Sequence, residues 1–139
     1  MAVLVQKHEI MPVRSGMDIV QVRQAARAWA VELGFSLVDQ TKLVTAASEL
    51  ARNVVDWGGG GIVRLEVLED GGRQGLRLIF EDHGPGIADV GLAMKDGYST
   101  GAGLGLGLGG ARRLVNEFEI VSRVGEGTRV TITMWKRGA

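Results

Sequence analysis

The chain has 139 residues, 45% hydrophobic and 23% charged, and its 16 basic and 16 acidic side chains cancel to zero formal charge. That length suits one domain around one core, and the balanced charge removes the electrostatic reason to expect nucleic acid or an anionic membrane as partner. Cysteine is absent, which excludes thiol catalysis, disulfides and thiolate zinc sites, and His8 and His83 are too few for a histidine-rich metal site. The N-terminus turns polar too early for a signal peptide, and no apolar run approaches the ~20 residues of a membrane span. A soluble, cytoplasmic protein is therefore expected.

Residues 2–11 favour a strand ending at Pro12. From 18 to 33 the apolar residues Ile19, Val22, Ala26, Trp29, Ala30 and Leu33 recur at helical spacing, and Gly34 is placed to end that helix. A second helix is expected over 37–57, with Leu43, Ala46, Ala47, Leu50, Val54 and Trp57 as its stripe, before a glycine loop at 58–61. Residues 62–69 and 75–81 read as strands turned through Asp70-Gly71. A short helix is expected within 87–95 and another with its firmest part at 111–116. Two last strands, 118–123 and 128–135, are turned by Gly125-Glu126-Gly127. Helices followed by antiparallel hairpins imply an α+β two-layer sandwich.

Seven glycines stand between Gly97 and Gly110, just before the last expected helix. Gly105-x-Gly107-x-x-Gly110 matches the dinucleotide fingerprint in letters, but that motif needs a buried strand before it and a βαβ unit after it. Here Asp96-Gly97-Tyr98-Ser99-Thr100 precedes it and an antiparallel pair follows. A P-loop requires Gly-Lys-Ser/Thr, and no lysine follows a glycine. What remains is backbone N–H groups unobstructed by side chains, suited either to an anion or to a flexible loop.

Three further groups bear on that choice. Glu49 and Asn53 lie four apart, about 40° around one helix face. They could hold a Mg²⁺ and orient a proton acceptor, or form a solvated face with a Glu49–Arg52 pair. Asp82, in Asp82-His83-Gly84-Pro85-Gly86, shares strand parity with Leu76, Leu78 and Phe80 and so faces the covered side. A carboxylate there needs a partner: a purine amino group, or a local N–H that it caps. Thr128 shares parity with Val130, Ile132 and Met134, and is either a satisfied core threonine or, with Asp82, the base end of a nucleotide pocket.

In chain order, Glu49-x-x-x-Asn53, Asp82-x-Gly84-x-Gly86, the run Gly101-x-Gly103-Leu104-Gly105-Leu106-Gly107 and Gly127-Thr128 resemble the N, G1 and G2 boxes of the GHKL ATPases. That superfamily includes gyrase, Hsp90, MutL and histidine kinases. The segments 48–53 and 96–114 resemble in particular the anti-sigma-type serine/threonine kinases, including the switch kinases of stressosome modules. The resemblance implies a Bergerat-type two-layer α/β sandwich with a mixed, mostly antiparallel sheet, and ATP with Mg²⁺ as cofactors. It implies that Asn53 is the protein's Mg²⁺ ligand and that Glu49 is the general base or orients the acceptor hydroxyl. Asp82 would accept from the adenine amino group with Thr128 in support, and Gly84 and Gly86 would shape that end. Gly101, Gly103, Gly105 and Gly107, with Leu104 and Leu106 between them, would form the lid over the phosphates.

The chain departs from histidine kinases in lacking a phospho-accepting histidine on a dimerisation helix, and from gyrase in lacking a transducer domain. No obvious cationic clamp for the γ-phosphate stands out among Arg52, Arg112 and Arg113. Implied partners are a STAS-domain protein, as substrate and scaffold, and a PP2C-type phosphatase, with no nucleic acid and no membrane. Two alternatives share the fold: an anti-sigma factor that sequesters a sigma factor directly, and an ATP-binding module with little catalysis.

Overall fold

The computed structural model describes residues 3–95 and 107–137. In chain order its elements are β1 (Leu4–Val13), α1 (Gly16–Leu33), α2 (Leu37–Asp56), β2 (Gly61–Asp70), β3 (Arg73–Asp82), α3 (Val90–Ala93), α4 (Gly107–Arg113), β4 (Glu117–Arg123) and β5 (Gly127–Trp135). The strands form a sheet in the order β1-β2-β3-β5-β4. This is the two-layer α+β sandwich read from the sequence, with every pairing between described strands antiparallel. Among the described residues the sheet is thus antiparallel and not mixed as the resemblance implies, because β5 inserts between β3 and β4 and pairs antiparallel with both.

Local signals set the helices. The Ser15 side chain accepts from the Asp18 N–H at the start of α1, and Gly34 ends it with φ 83°. Ser36 caps α2 by accepting from the Asp39 N–H at 3.1 Å. The expected stripes are the buried ones, Ile19, Val22, Ala26, Trp29 and Ala30 on α1 and Leu43, Ala46, Ala47, Leu50 and Val54 on α2. They pack on the inner face of the sheet, where Val63, Leu65, Leu76, Leu78, Phe80, Val130 and Ile132 follow the two-residue period.

Three boundaries differ from the sequence reading, each for a tertiary or turn-geometry reason. β1 continues through Pro12, which pairs with Ile62; β1 is an edge strand, so proline's missing N–H interrupts no ladder. The β2–β3 turn is Gly71-Gly72, with φ 60° and 93°, as a two-residue hairpin requires. Asp70 therefore stays paired with Arg73. The last helix begins at Gly107 and ends at Arg113 instead of reaching Asn116. Asn116 is taken by the sheet: its N–H donates to the Thr133 carbonyl and its Oδ1 accepts from the Trp135 N–H at 2.6 Å.

The outer face of the sheet carries a buried carboxylate, Glu66. Arg64 donates to its Oε2 at 2.7 Å and Arg77 to its Oε1 at 2.6 Å. Burial pushes the Glu66 carboxyl up, but the hydrogen bonds and charges of the two guanidiniums outweigh that and hold it below the ordinary carboxylate range.

Candidate functional site

Asp82 ends β3 and Thr128 stands opposite it near the start of β5. Their inward parity brings both beneath the last turns of α2, where Leu50, Asn53, Val54 and Trp57 occupy one helical face. Between them lies an open cavity of about 360 Å³, bounded also by the loop after β3, by α3 and by Gly107 and Leu108 of α4. That is the scale of a small-molecule site. Its walls are mainly apolar, and Asn53, Asp82, Asp89 and Thr128 are its polar side chains. Asp89 is already engaged, its Oδ1 accepting from the Leu92 N–H at 2.9 Å as the cap of α3.

The two readings of Asp82 turn out to be compatible. Its Oδ1 accepts from the Gly84 N–H at 3.0 Å and from the Thr128 N–H at 3.3 Å. No described residue donates to Oδ2, which leaves an acceptor available at the cavity wall. The carboxylate is backed by Gly58, where any Cβ would collide with the Asp82 side chain. A Cβ on Gly84 would in turn come within 2.7 Å of the Gly58 Cα, so backbone packs on backbone there.

Thr128 is half-buried, and its Oγ1 lies 2.7 Å from the Ser122 Oγ. Ser122 also accepts from the Ile87 N–H at 2.8 Å, fastening the loop after β3 to β4. A second tie, from the Gly125 N–H to the Pro85 carbonyl at 2.8 Å, holds the same loop.

The sequence-derived residues are not all brought to the cavity. Asn53, Asp82, Gly86, Gly107 and Thr128 line it. Gly84 does not line it but donates its N–H to Asp82 and packs on Gly58, which do. Glu49 does not line it but is buried one turn before Asn53, at 6% exposure. That rules out a solvated face with an Arg52 pair. Glu49 Oε1 has no hydrogen-bond partner among the described residues. Gly101, Gly103, Leu104, Gly105 and Leu106 lie outside the described residues. Of the arginine candidates, Arg52 is half-buried, Arg112 and Arg113 are exposed on the last turn of α4, and none lines the cavity.

Three residues escaped the sequence reading. Gly58 belongs to the glycine loop expected at 58–61, and only its contact with Asp82 gives it a role. Trp57 belongs to the apolar stripe expected of the second helix, yet it is half exposed at the cavity. Ser122 shares strand parity with Phe118 and Ile120, a signal that was present in the sequence.

No cluster of three histidine, cysteine or acidic side chains able to hold a metal occurs among the described residues. A Mg²⁺ that arrives with phosphate oxygens and waters needs only one or two protein oxygens, and the Asn53 amide fits that requirement. Among the described residues no helix is long and apolar enough to cross a membrane.

Residues 38–138 match the family described as histidine kinase-, DNA gyrase B-, and HSP90-like ATPase. The chain is 49% identical over 120 residues to the serine/threonine-protein kinase RsbT of Bacillus subtilis (strain 168), covering 86% of this chain and 90% of that one. A solved structure of the RsbU and RsbW domains of a Mycobacterium tuberculosis protein is similar with TM-score 0.64 and 25% identity. That match covers 100% of this chain but 34% of the other, so this chain spans about a third of it. The mycobacterial sensor histidine kinase MprB shares the fold at TM-score 0.55 and 17% identity, over 96% of this chain and 100% of that one.

Proposed function

The chain belongs to the histidine kinase-, DNA gyrase B- and HSP90-like ATPase family, and we propose that within it this protein is an ATP-dependent serine/threonine kinase. Its substrate is a STAS-domain protein that also serves as its sequestering scaffold in a partner-switching pathway. Once released, the kinase binds and activates a PP2C-type phosphatase. The observation that carries this reading is one cavity lined by Asn53, Asp82 and Thr128, in a chain so similar to a serine/threonine kinase along most of its length.

The chemistry follows from what each side chain can offer. Asp82 Oδ2 accepts from the adenine amino group, while Phe80, Val130, Leu50 and Ile87 give the ring apolar walls. The Asn53 amide oxygen would hold the Mg²⁺, which when bound would supply charge neutralisation for the phosphate oxygens. Gly107, with the glycines before it, offers backbone N–H groups to the phosphates. Glu49 lies one turn before Asn53, buried outside the cavity lining, and its Oε1 is unpaired among the described residues, a costly state. A substrate hydroxyl brought to that oxygen would relieve it, and Glu49 would take the proton as the hydroxyl oxygen bonds to the γ-phosphorus and ADP departs.

The test is phosphoryl transfer from labelled ATP with Mg²⁺ to a STAS-domain protein encoded nearby. Asp82→Asn keeps an oxygen for the Gly84 and Thr128 N–H groups but replaces Oδ2 with a donor facing the adenine amino group. We expect it to remain folded and to lose ATP affinity by about 100-fold, a donor–donor mismatch being costlier than one missing bond. Asn53→Ala is expected to abolish transfer while retaining the fold. Transfer undiminished in both variants, or absent from the wild-type chain, refutes the kinase reading. Co-purification with a sigma factor instead of a STAS protein and phosphatase points to direct sequestration.

A further inference from the structure

The helices cover one face of the sheet, and the other face carries a pattern that the cavity does not use. Strand pairing sets its central side chains in two rows. Across β2, β3, β5 and β4 the first row reads Ile62, Glu81, Arg129, Val121, and the second reads Arg64, Ile79, Thr131, Glu119. All but Val121 line an open hollow of about 430 Å³. Ile62 and Val121 are 38% and 43% exposed. The side chains of Glu81, Glu119 and Arg129 make no hydrogen bond or ion pair among the described residues. Arg64 gives its Nε–H to Glu66, which leaves its terminal nitrogens able to donate elsewhere.

Each row complements its own reverse. Reversing the first sets Val121 on Ile62 and Arg129 on Glu81; reversing the second sets Glu119 on Arg64 and Thr131 on Ile79. A two-fold axis parallel to the strands, between β3 and β5, performs that reversal when a second copy lies face to face. Apolar then meets apolar, and every charge in the two rows meets its opposite. An axis on β3 would set Glu81 against its own copy, and one on β5 would do the same to Arg129, so the charges choose between them. We propose that this face is an interface between two copies of the chain. An isologous contact requires such self-complementarity, whereas a partner of one sign would leave half of the charges unmatched. Zero formal charge leaves no net repulsion between copies. Strand spacing and length give about 500 Å² covered per copy, the low end for a specific interface. The dimer is therefore reversible, with a Kd of the order of 10 μM. The sheet separates this face from the cavity, so the inference stands apart from the nucleotide reading.

Sedimentation velocity over a concentration series of the full chain tests it. Glu81→Arg alone, or Arg129→Glu alone, sets like charges against each other twice per dimer and is expected to weaken association by about tenfold or more. Mixed in equal amounts, the two variants place opposite charges at both positions and are expected to associate as the wild type does. Each variant keeps its own like-charged neighbours on β3 and β5 in the mixture, so recovery there is intermolecular. Ile62→Ser is expected to weaken the dimer. Ile10→Ser is not, although Ile10 is 54% exposed, because β1 has no counterpart under this axis. Thermal unfolding checks that each variant is folded. A wild-type chain monomeric to about 500 μM, single variants that associate as the wild type does, or a mixture no stronger than its parts overturns the proposal. Protection of this face from hydrogen exchange by a STAS-domain protein or a phosphatase, with the chain alone monomeric, assigns it to that partner and likewise overturns it.

Discussion

Asp82 is constrained from several directions. Two backbone N–H groups hold Oδ1, and Gly58 packs against the side chain as far as Oδ2, to which no described residue donates. A substituent on Gly58 would meet a side chain that cannot rotate away without breaking both bonds. Gly58→Ala is therefore expected to destabilise the fold by about 1–3 kcal/mol, the usual cost of overpacking. It should also displace the carboxylate, so that ATP affinity falls in parallel. Thermal unfolding and nucleotide titration of the same preparation check both. A stable variant with wild-type affinity would mean that Gly58 is not the support of Asp82.

At the scale of elements, the contact of α3 with α4 explains a glycine that has no ligand role. Glycine inside a helix costs about 1 kcal/mol relative to alanine, yet Gly109 stands inside α4, buried. A Cβ there would collide with the backbone carbonyl of Met94, the residue that ends α3. Close packing of helix against helix is thus its reason. Gly109→Ala sets a gain of about 1 kcal/mol in propensity against a backbone clash of about 1–3 kcal/mol. Because a carbonyl cannot swing aside as a side chain can, the clash is expected to win and lower the melting temperature. Leu92 and Ala93 of α3 and Leu108 of α4 wall the cavity, so separating the two helices should weaken ATP binding as well. A variant more stable than the wild type would show that the helices can part without cost.

For the whole molecule, the outer face of the sheet carries an electrostatic contribution remote from the cavity. Glu66 is nearly fully buried between Arg64 and Arg77, whose side chains are 35% and 29% exposed. Its folded-state pKa lies below the ordinary carboxylate value that holds in the unfolded chain. The stabilisation is therefore complete above that unfolded-state value and is lost as pH falls through the lower folded one. Glu66→Gln is expected to cost about 1–3 kcal/mol at pH 7, less than for a fully buried pair because the guanidiniums remain partly solvated. The gap between variant and wild type should close toward pH 3. Urea unfolding at the two pH values measures it, and a gap that widens on acidification contradicts the assignment.

Periodicity alone determined much of this protein. The stripes of α1 and α2, the alternation of β3 and β5, and the inward parity of Asp82 and Thr128 follow from the 3.6- and 2-residue repeats, which are local properties of the chain. Four ordered motifs then pointed to the family. Tertiary structure decided which of those residues share a cavity, because Asn53, Asp82 and Thr128 come from three elements that meet only when the helices pack on the sheet. It also decided that Pro12 could remain in a strand, since that strand lies at an edge. Glu49 sits buried outside the cavity lining, Gly58 supports Asp82, and Ser122 reaches Thr128 across the β4–β5 pairing. The first two depend on approaches between backbones distant in sequence and the third on the register of a hairpin, none of which a repeat along one segment encodes.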